Sequence, residues 1–437
     1  MTYSKNRTLL NNIASLGLVQ IVNYIFPLIT IPFVSRILGP AGFGVINYVT
    51  AFITYFILIV NYGFDFTATR KIAVDPDNVE VRSRVFSEVI CARFILLVIT
   101  AGLFGIIISF ISLLQENFLL SLVLFLNVVS AFLTPQYIFQ GLQKLSILSL
   151  LTIVKGVINT SLILLLISEK DDLVLYVAIS VFSNFLISIV SFLYVLFVIN
   201  IKFTFYSIKH SIQLLKEVRL VFFSSIIFSL YTTTNIIILG FFAKAKSIGF
   251  YTTAVSFIVI VQGVVNIPLA SSLYPYIGRA FSESKEAGLL KLRKILPIVF
   301  YFSALVSLGI LILAPFIVFI IYGKSFDGSI IAIQILSFLP LLSSMSSIMG
   351  VQTMLNLSMD KLFLRITSFA ACLSLILNVI MAYYFSYIGT SISYLFTEII
   401  ICVSFFIILK NKGLILFEKE NFKLKNVFIQ IKAIKNM

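Results

Sequence analysis

The chain has 437 residues, 60% of them hydrophobic and 11% charged, less than half the roughly 25% charged fraction of a soluble domain, so a water-soluble fold is excluded. The net charge of +15 comes without the basic, aromatic-interleaved soluble module of a nucleic-acid footprint. It is concentrated in short loops and in a tail from Lys410 to Lys435, where it meets anionic headgroups and sets orientation.

A helix rises about 1.5 Å per residue against a hydrocarbon core of about 30 Å, so a crossing needs about 20 apolar residues. Twelve such runs are predicted, at 12–34, 42–63, 85–112, 118–140, 147–168, 173–200, 218–242, 248–277, 294–322, 329–356, 362–386 and 389–409. The N-terminus carries Lys5 and Arg7 but no compact signal-peptide pattern, and it reads as a retained first helix. In that helix Gln20, Asn23, Tyr24 and Pro27 fall at i, i+3, i+4 and i+7, a polar seam on one face that suits either a solute path or interhelical hydrogen bonding. Asp65 and Arg70 follow the second run and, with Lys361 and Arg365 at the eleventh, are candidates for the rim of an inward-facing vestibule. Arg84 and Glu88, four apart at the start of the third run, can pair on one helix face.

Three ionisable groups, Arg93, Lys155 and Glu398, are predicted at mid-bilayer depth, where a charge costs a few kcal/mol or more and faces a cavity or a partner. Thr232, Thr233, Thr234 and Asn235 in the seventh run and Gln262, Asn266 and Pro268 in the eighth form a second polar seam. Pro27, Pro32 and Pro268 are expected to kink their helices. Cys91, Cys372 and Cys402 lie in apolar runs and the lone His210 in a polar segment, so no disulfide framework, metal site or histidine catalysis is expected. Gly323-Lys324-Ser325 lacks the glycine five positions upstream that a phosphate-cradling loop requires. No nucleophile elbow is present, and neither catalytic residues nor a cofactor is expected.

Of the 32 Lys and Arg, only Arg36, Lys170, Lys244, Lys246 and Lys324 fall in one alternating set of loops; apart from Arg93 and Lys155, the other 25 fall in the opposite set. Because Lys and Arg accumulate in short cytoplasmic loops, both termini are expected in the cytoplasm. The polar stretch 201–217 divides the chain into lobes at 1–200 and 218–410, followed by a basic cytoplasmic tail at 411–437. The segment Gly44 to Phe52 aligns with Gly249 to Phe257 at an offset of 205, which Asn61 and Asn266 share, as expected of duplicated bundles in parallel topology.

The stretch Pro32-Phe33-Val34-Ser35-Arg36-Ile37-Leu38-Gly39-Pro40-Ala41-Gly42-Phe43-Gly44 resembles the first-to-second-helix junction of Wzx-type polysaccharide and O-antigen repeat-unit flippases. Asn61-Tyr62-Gly63-Phe64 leading to Arg70-Lys71-Ile72-Ala73, and Gln140-Gly141-Leu142-Gln143-Lys144, look like the same family. The resemblance implies an all-α integral membrane fold of the multidrug/oligosaccharidyl-lipid/polysaccharide type, two six-helix bundles forming a V that opens alternately to each side of a bacterial inner membrane. It implies a substrate, an undecaprenyl-pyrophosphate-linked oligosaccharide from O-antigen or capsule synthesis, and partners such as membrane lipids, a polysaccharide polymerase and a chain-length regulator; a functional monomer is expected. On that reading Arg93 and Lys155, with Arg36, Arg70 and Arg365 and the seam of Gln20, Asn23 and Tyr24, contact the substrate, while Glu398, Glu88 and Asp65 serve ion coupling. The competing readings are an ion-coupled drug antiporter, which would favour an acid-lined cavity, and a polysaccharide polymerase or ligase, which would need a large extracytoplasmic loop. A passive anchoring protein would need no polar seam in both lobes.

Overall fold

The computed structural model describes residues 2–268, 273–423 and 425–426; the side chains of 2–25, 228, 231, 264, 267, 268 and 275 lie outside that description, and with them the predicted seam residues Gln20, Asn23 and Tyr24. The described chain is helical throughout and divides into two compact units, Met1–Ser229 and Leu230–Met437. Nine helical stretches among the described residues are long and apolar enough to cross a membrane, and two of them, Phe26–Val74 and Asp360–Asn411, hold 49 and 52 residues, about twice one crossing. This is a multi-pass membrane protein.

In the first unit α1 runs Thr2–Asn61, and its one non-helical residue is Gly39, at φ 66° and ψ 178°. The departure falls at Gly39, between the two predicted spans, and not at Pro27 or Pro32; only glycine takes this backbone conformation freely. A short helix, α2 (Phe64–Val74), occupies what reads as a loop in the sequence. Helix α3 spans Val79–Phe110, with the Asn78 side chain accepting from the backbone of Glu80 and Val81 at its N-terminus, so the third helix starts well before the apolar run does. After α4 (Ser112–Glu116), the predicted fourth span is split into α5 (Phe118–Leu133) and α6 (Gln136–Gly141). Pro135 explains the split: it disfavours helical geometry at the preceding residue, and Thr134 is extended at φ −87°, ψ 105°. Helices α7 (Leu145–Leu166) and α8 (Leu173–Phe197) complete the unit's hydrophobic spans.

The polar stretch that follows is not a free loop. Residues 201–207 run along α3, where the N–H groups of Lys202 and Thr204 donate to Ser83 Oγ and Ser87 Oγ, both at 3.0 Å, and that of Tyr206 to Cys91 Sγ at 3.4 Å. Helix α9 (Ile208–Thr232) then begins ten residues earlier than its apolar run. Its His210 Nε2 lies 3.3 Å from Glu88 Oε1 with Tyr206 against its ring, so Glu88 meets His210 in place of the expected Arg84. Tyr62 stacks on Phe222 at 4.2 Å, and Gly63, at φ 81°, lets Val221 come close.

The second unit contains α10 (Thr234–Phe242), α11 (Ala245–Pro268), the short α12 (Tyr274–Glu283) and α13 (Lys285–Ile321). The predicted tenth span breaks into α14 (Ser329–Leu336), α15 (Leu339–Ser346) and a π-helix at Ser347–Leu355, in which Thr353 Oγ1 bonds Ile348 O five residues back. Helix α16 (Asp360–Asn411) carries its break at Ser386, at φ 53° and ψ −137°, the last residue of the eleventh predicted span. The core of this unit gathers Leu292, Leu296, Met345, Ile348, Met349 and Phe405.

Both units are apolar on the outside as well as in the core, with small polar residues among the buried ones. Large apolar side chains such as Leu305, Ile312 and Phe316 face outward, while Ser87, Thr100, Ser121, Ser183, Ser188 and Ser303 are buried. Several of these hydroxyls donate to a carbonyl one turn back, as Ser183 does to Ile179 and Ser188 to Asn184, each at 2.8 Å. Small residues let helices approach closely where lipid supplies no hydrophobic drive. At Gly141 an added Cβ would lie 2.7 Å from the Ile72 side chain and 3.2 Å from Thr69 O. Gly141→Val is therefore expected to lower the melting temperature of the detergent-solubilised protein, at a cost of about 1–3 kcal/mol. Gly105→Ala, with open space around its Cβ, should leave melting unchanged or raise it; equal melting of Gly141→Val and wild type would sink the close α2–α6 packing.

Candidate functional site

The two intramembrane cations of the first unit differ: Arg93 is ion-paired through its terminal nitrogens, and Lys155 has no ion pair among the described residues. Arg93 on α3 is completely buried. Its Nη2 donates to Asp65 Oδ1 at 3.0 Å, its Nη1 to the carbonyls of Thr134 at 3.0 Å and Ala131 at 3.4 Å, and its guanidinium lies 5.2 Å over the Tyr137 ring. The proline break after α5 is what frees those carbonyls: Pro135 has no N–H, and the helix end leaves acceptors without intrahelical partners. Arg93 thus fastens α2, α3, α5 and α6 together, and Asp65, placed at a vestibule rim in the sequence reading, is its counter-ion.

Lys155 is in the middle of α7 and has no ion pair or hydrogen bond among the described residues. It lines a cavity of about 440 Å³ with Asn127, Asn159, Asn184, Thr152 and Tyr176, and it also lines a second of about 290 Å³ that includes Thr134, Gln136 and Ser188. A third, of about 250 Å³, shares Asn127, Thr134, Gln136 and Asn184 and reaches Asn61 and Asp65. The shared linings make these one branched polar recess within the first unit, with Asn184 common to all three branches. Asn184 Nδ2 donates to Asn127 Oδ1 at 3.1 Å, whereas Asn159 Oδ1 is buried and meets no donor among the described residues. Gly156 lets the Phe26 ring pack against α7 at the wall of the recess.

The asparagines were not singled out in the sequence, although a signal existed: Thr152, Lys155 and Asn159 follow i, i+3, i+7 spacing, a polar stripe on one face of a lipid-embedded helix. Asn127 and Asn184 stand as lone amides in apolar runs, a weaker signal.

The other predicted residues lie apart. Arg36, Arg70 and Arg365 are exposed. Glu88 is engaged with His210. Glu398 belongs to the second unit, buried on α16 with Tyr394 and Cys402 one turn to either side and no ion pair among the described residues. In the same unit Asn378 Nδ2 donates to Asn235 Oδ1 at 3.0 Å, and Asn266 bridges Ser343 and Ser344, so these members of the second polar seam bond helix to helix.

Removing one partner of a buried ion pair strands the other, a loss of about 3–5 kcal/mol. Arg93→Ala and Asp65→Ala are each expected to reduce the amount of inserted protein and its melting temperature, and the double variant to recover part of the loss. Additive losses in the double variant would show that the two side chains do not act as a pair.

The polysaccharide biosynthesis protein family matches residues 9–281, more than half of the chain. A relative from Escherichia coli (strain K12) named "Putative O-antigen transporter" is 29% identical over 415 residues, covering 93% of this chain and 98% of its own. One of the same name from Shigella dysenteriae is 26% identical over 395 residues, covering 89% and 97%. Among solved structures, the lipid II flippase MurJ in an inward closed conformation matches with a TM-score of 0.73 at 15% identity, over 98% of this chain and 92% of that one. A multidrug resistance MATE family transporter of the MOP superfamily, inward-facing, matches at 0.70 and 16% identity, over 92% and 98%. Identity this low carries the fold alone, since one fold hosts many functions. With its helical fold shared with MOP-superfamily transporters and that match across most of its length, the chain belongs to the polysaccharide biosynthesis protein family.

Proposed function

We propose that the protein is a flippase that moves a lipid-linked oligosaccharide, an undecaprenyl-pyrophosphate-linked O-antigen or capsule repeat unit, from the cytoplasmic to the periplasmic leaflet of a bacterial inner membrane. The observation that carries this reading is Lys155, a cation with no counter-ion among the described residues, in an amide-bearing recess of a chain from a polysaccharide biosynthesis family. Twelve crossings follow if the runs broken at Gly39 and Ser386 cross twice each and α9 with α10 crosses once. Both termini are then cytoplasmic by the distribution of Lys and Arg. Movement of the two duplicated halves supplies alternating access; the polyprenyl tail stays in lipid while the headgroup passes through polar surroundings. In this scheme Arg70 and Arg365 draw the anionic headgroup toward the entrance, Arg36 meets it near the exit, and Glu398 couples transport to a proton or sodium ion. The protein works as a monomer alongside a polymerase and chain-length regulator. A drug-cation antiporter would favour a carboxylate in the recess, but Asp65 is already held by Arg93 and, among the described lining residues, the remaining charge is Lys155.

In a host deleted for this gene, loss of surface polysaccharide with lipid-linked units retained inside, reversed by the wild-type chain, is the expected result; normal display without a redundant exporter rejects the reading. A charge-assisted hydrogen bond contributes about 1.5–3 kcal/mol, a factor of roughly ten or more. Lys155→Ala and Lys155→Gln should therefore lower display by about that factor at unchanged protein abundance, and Lys155→Arg should retain a larger share. Full display by Lys155→Ala would remove Lys155 from the substrate path.

A further inference from the structure

Resting on the flippase reading and deepening it, we propose that Asn127, Asn159 and Asn184 form a glycosyl subsite inside the first unit, reading sugar hydroxyl or acetamido groups beside the anion held by Lys155. Three observations converge on it. First, the three amides line one cavity of about 440 Å³, within the size range of small-ligand sites, which combine apolar walls with a few placed polar groups. Second, their hydrogen-bonding capacity is unequally used. The Asn184 to Asn127 bond takes one donor and one acceptor; each side chain keeps a further donor and acceptor, and Asn159 Oδ1 is buried without a donor among the described residues. An orphaned buried acceptor is costly unless a ligand or water supplies the donor. Third, Phe26 and Tyr176 also line the cavity and offer apolar faces to ring C–H groups.

The donor set separates a sugar from its linker. A pyrophosphate is an acceptor throughout, so it is served by cations and N–H donors and repelled by a carbonyl oxygen. A saccharide hydroxyl both gives and accepts, and an acetamido group presents one N–H and one C=O, the complement of a primary amide. The three amides together, offering both donors and acceptors, therefore suit a ligand that gives as well as accepts, and Lys155 supplies the positive charge for the anion.

The chain has no tryptophan, so Tyr176→Trp places a single fluorescent reporter on the cavity wall. Purified protein carrying it is titrated separately with the repeat-unit oligosaccharide freed of its lipid and phosphates and with inorganic pyrophosphate. The oligosaccharide should shift the emission, and Asn159→Leu or Asn184→Leu should weaken its binding about tenfold, as for a lost hydrogen bond that leaves its partner unpaired, with the pyrophosphate response retained. A response to pyrophosphate alone, or identical oligosaccharide affinity in the leucine variants, overturns the subsite. An independent arm uses cells: without the reporter, Asn159→Leu and Asn184→Leu at wild-type abundance should lower surface display and accumulate lipid-linked units, and undiminished display overturns the proposal whatever the reporter does. Failure of the wild-type chain to restore display would instead reject the flippase reading itself.

Discussion

The first unit depends on the pair between Arg93 and Asp65. A helix bundle in hydrocarbon has no water with which to solvate a guanidinium, so a buried arginine has to be surrounded by acceptors from its own protein. Here the carboxylate comes from the short helix that follows the second crossing and two carbonyls come from the helix end opened by Pro135. Each acceptor is specific in position. Because the acceptors arise on α2 and at the end of α5, with the Tyr137 ring of α6 against the guanidinium, binding Arg93 fixes where those elements stand, and the recess that Asp65, Ala131 and Thr134 help to line inherits its shape from that arrangement.

The contrast with Lys155 gives the recess its chemical character. Two cations at similar predicted depth differ in what surrounds them: one is enclosed by a carboxylate, carbonyls and a tyrosine ring, the other by amides and hydroxyls. Lysine suits the second role because its ammonium is a compact point charge on a flexible stem that can follow a ligand, whereas the planar guanidinium of arginine is suited to a fixed, forked set of acceptors. On the proposed function, the neutral amides that line the recess with Lys155 leave its charge to an incoming anion. The division of labour between scaffold and site is thus made between two residues that look alike on paper.

Much of the fold was legible because lipid imposes simple rules: long apolar runs, basic short loops and rare internal charges. The first two predicted runs stand on either side of the break at Gly39, and the eleventh ends on the break at Ser386. What was not legible came from local chemistry that hydropathy cannot register. The helix at Phe64–Val74 is only half apolar and reads as loop; Asn78 starts α3 upstream of the apolar run through a cap. Asp65 and Arg93 are 28 residues apart, so no helical spacing links them; their meeting is a product of the turn between α2 and α3. That Arg93 needs a partner or a cavity was readable from its place in an apolar run, but the partner, Asp65, was not. The site asparagines were visible as polar residues in apolar runs, yet nothing in the sequence says that those on α5, α7 and α8 meet at one recess.

The backbone of residues 202–206 bonded along α3 obeys a constraint of commensurability. Four residues of helix advance about 6.0 Å, and two residues of extended chain about 6.6 Å, so successive rungs drift apart by about 0.6 Å. Serine oxygens serve the first two rungs at 3.0 Å; at the third, where the mismatch has accumulated, the acceptor is the larger sulfur of Cys91, reaching 3.4 Å. The two periodicities act as a vernier: they coincide over a few residues and then part. A fourth rung in the same register would fall on Ile95, whose side chain offers no acceptor, and the chain turns instead into α9 at Ile208, so the ladder lasts as long as α3 presents an acceptor at every fourth residue.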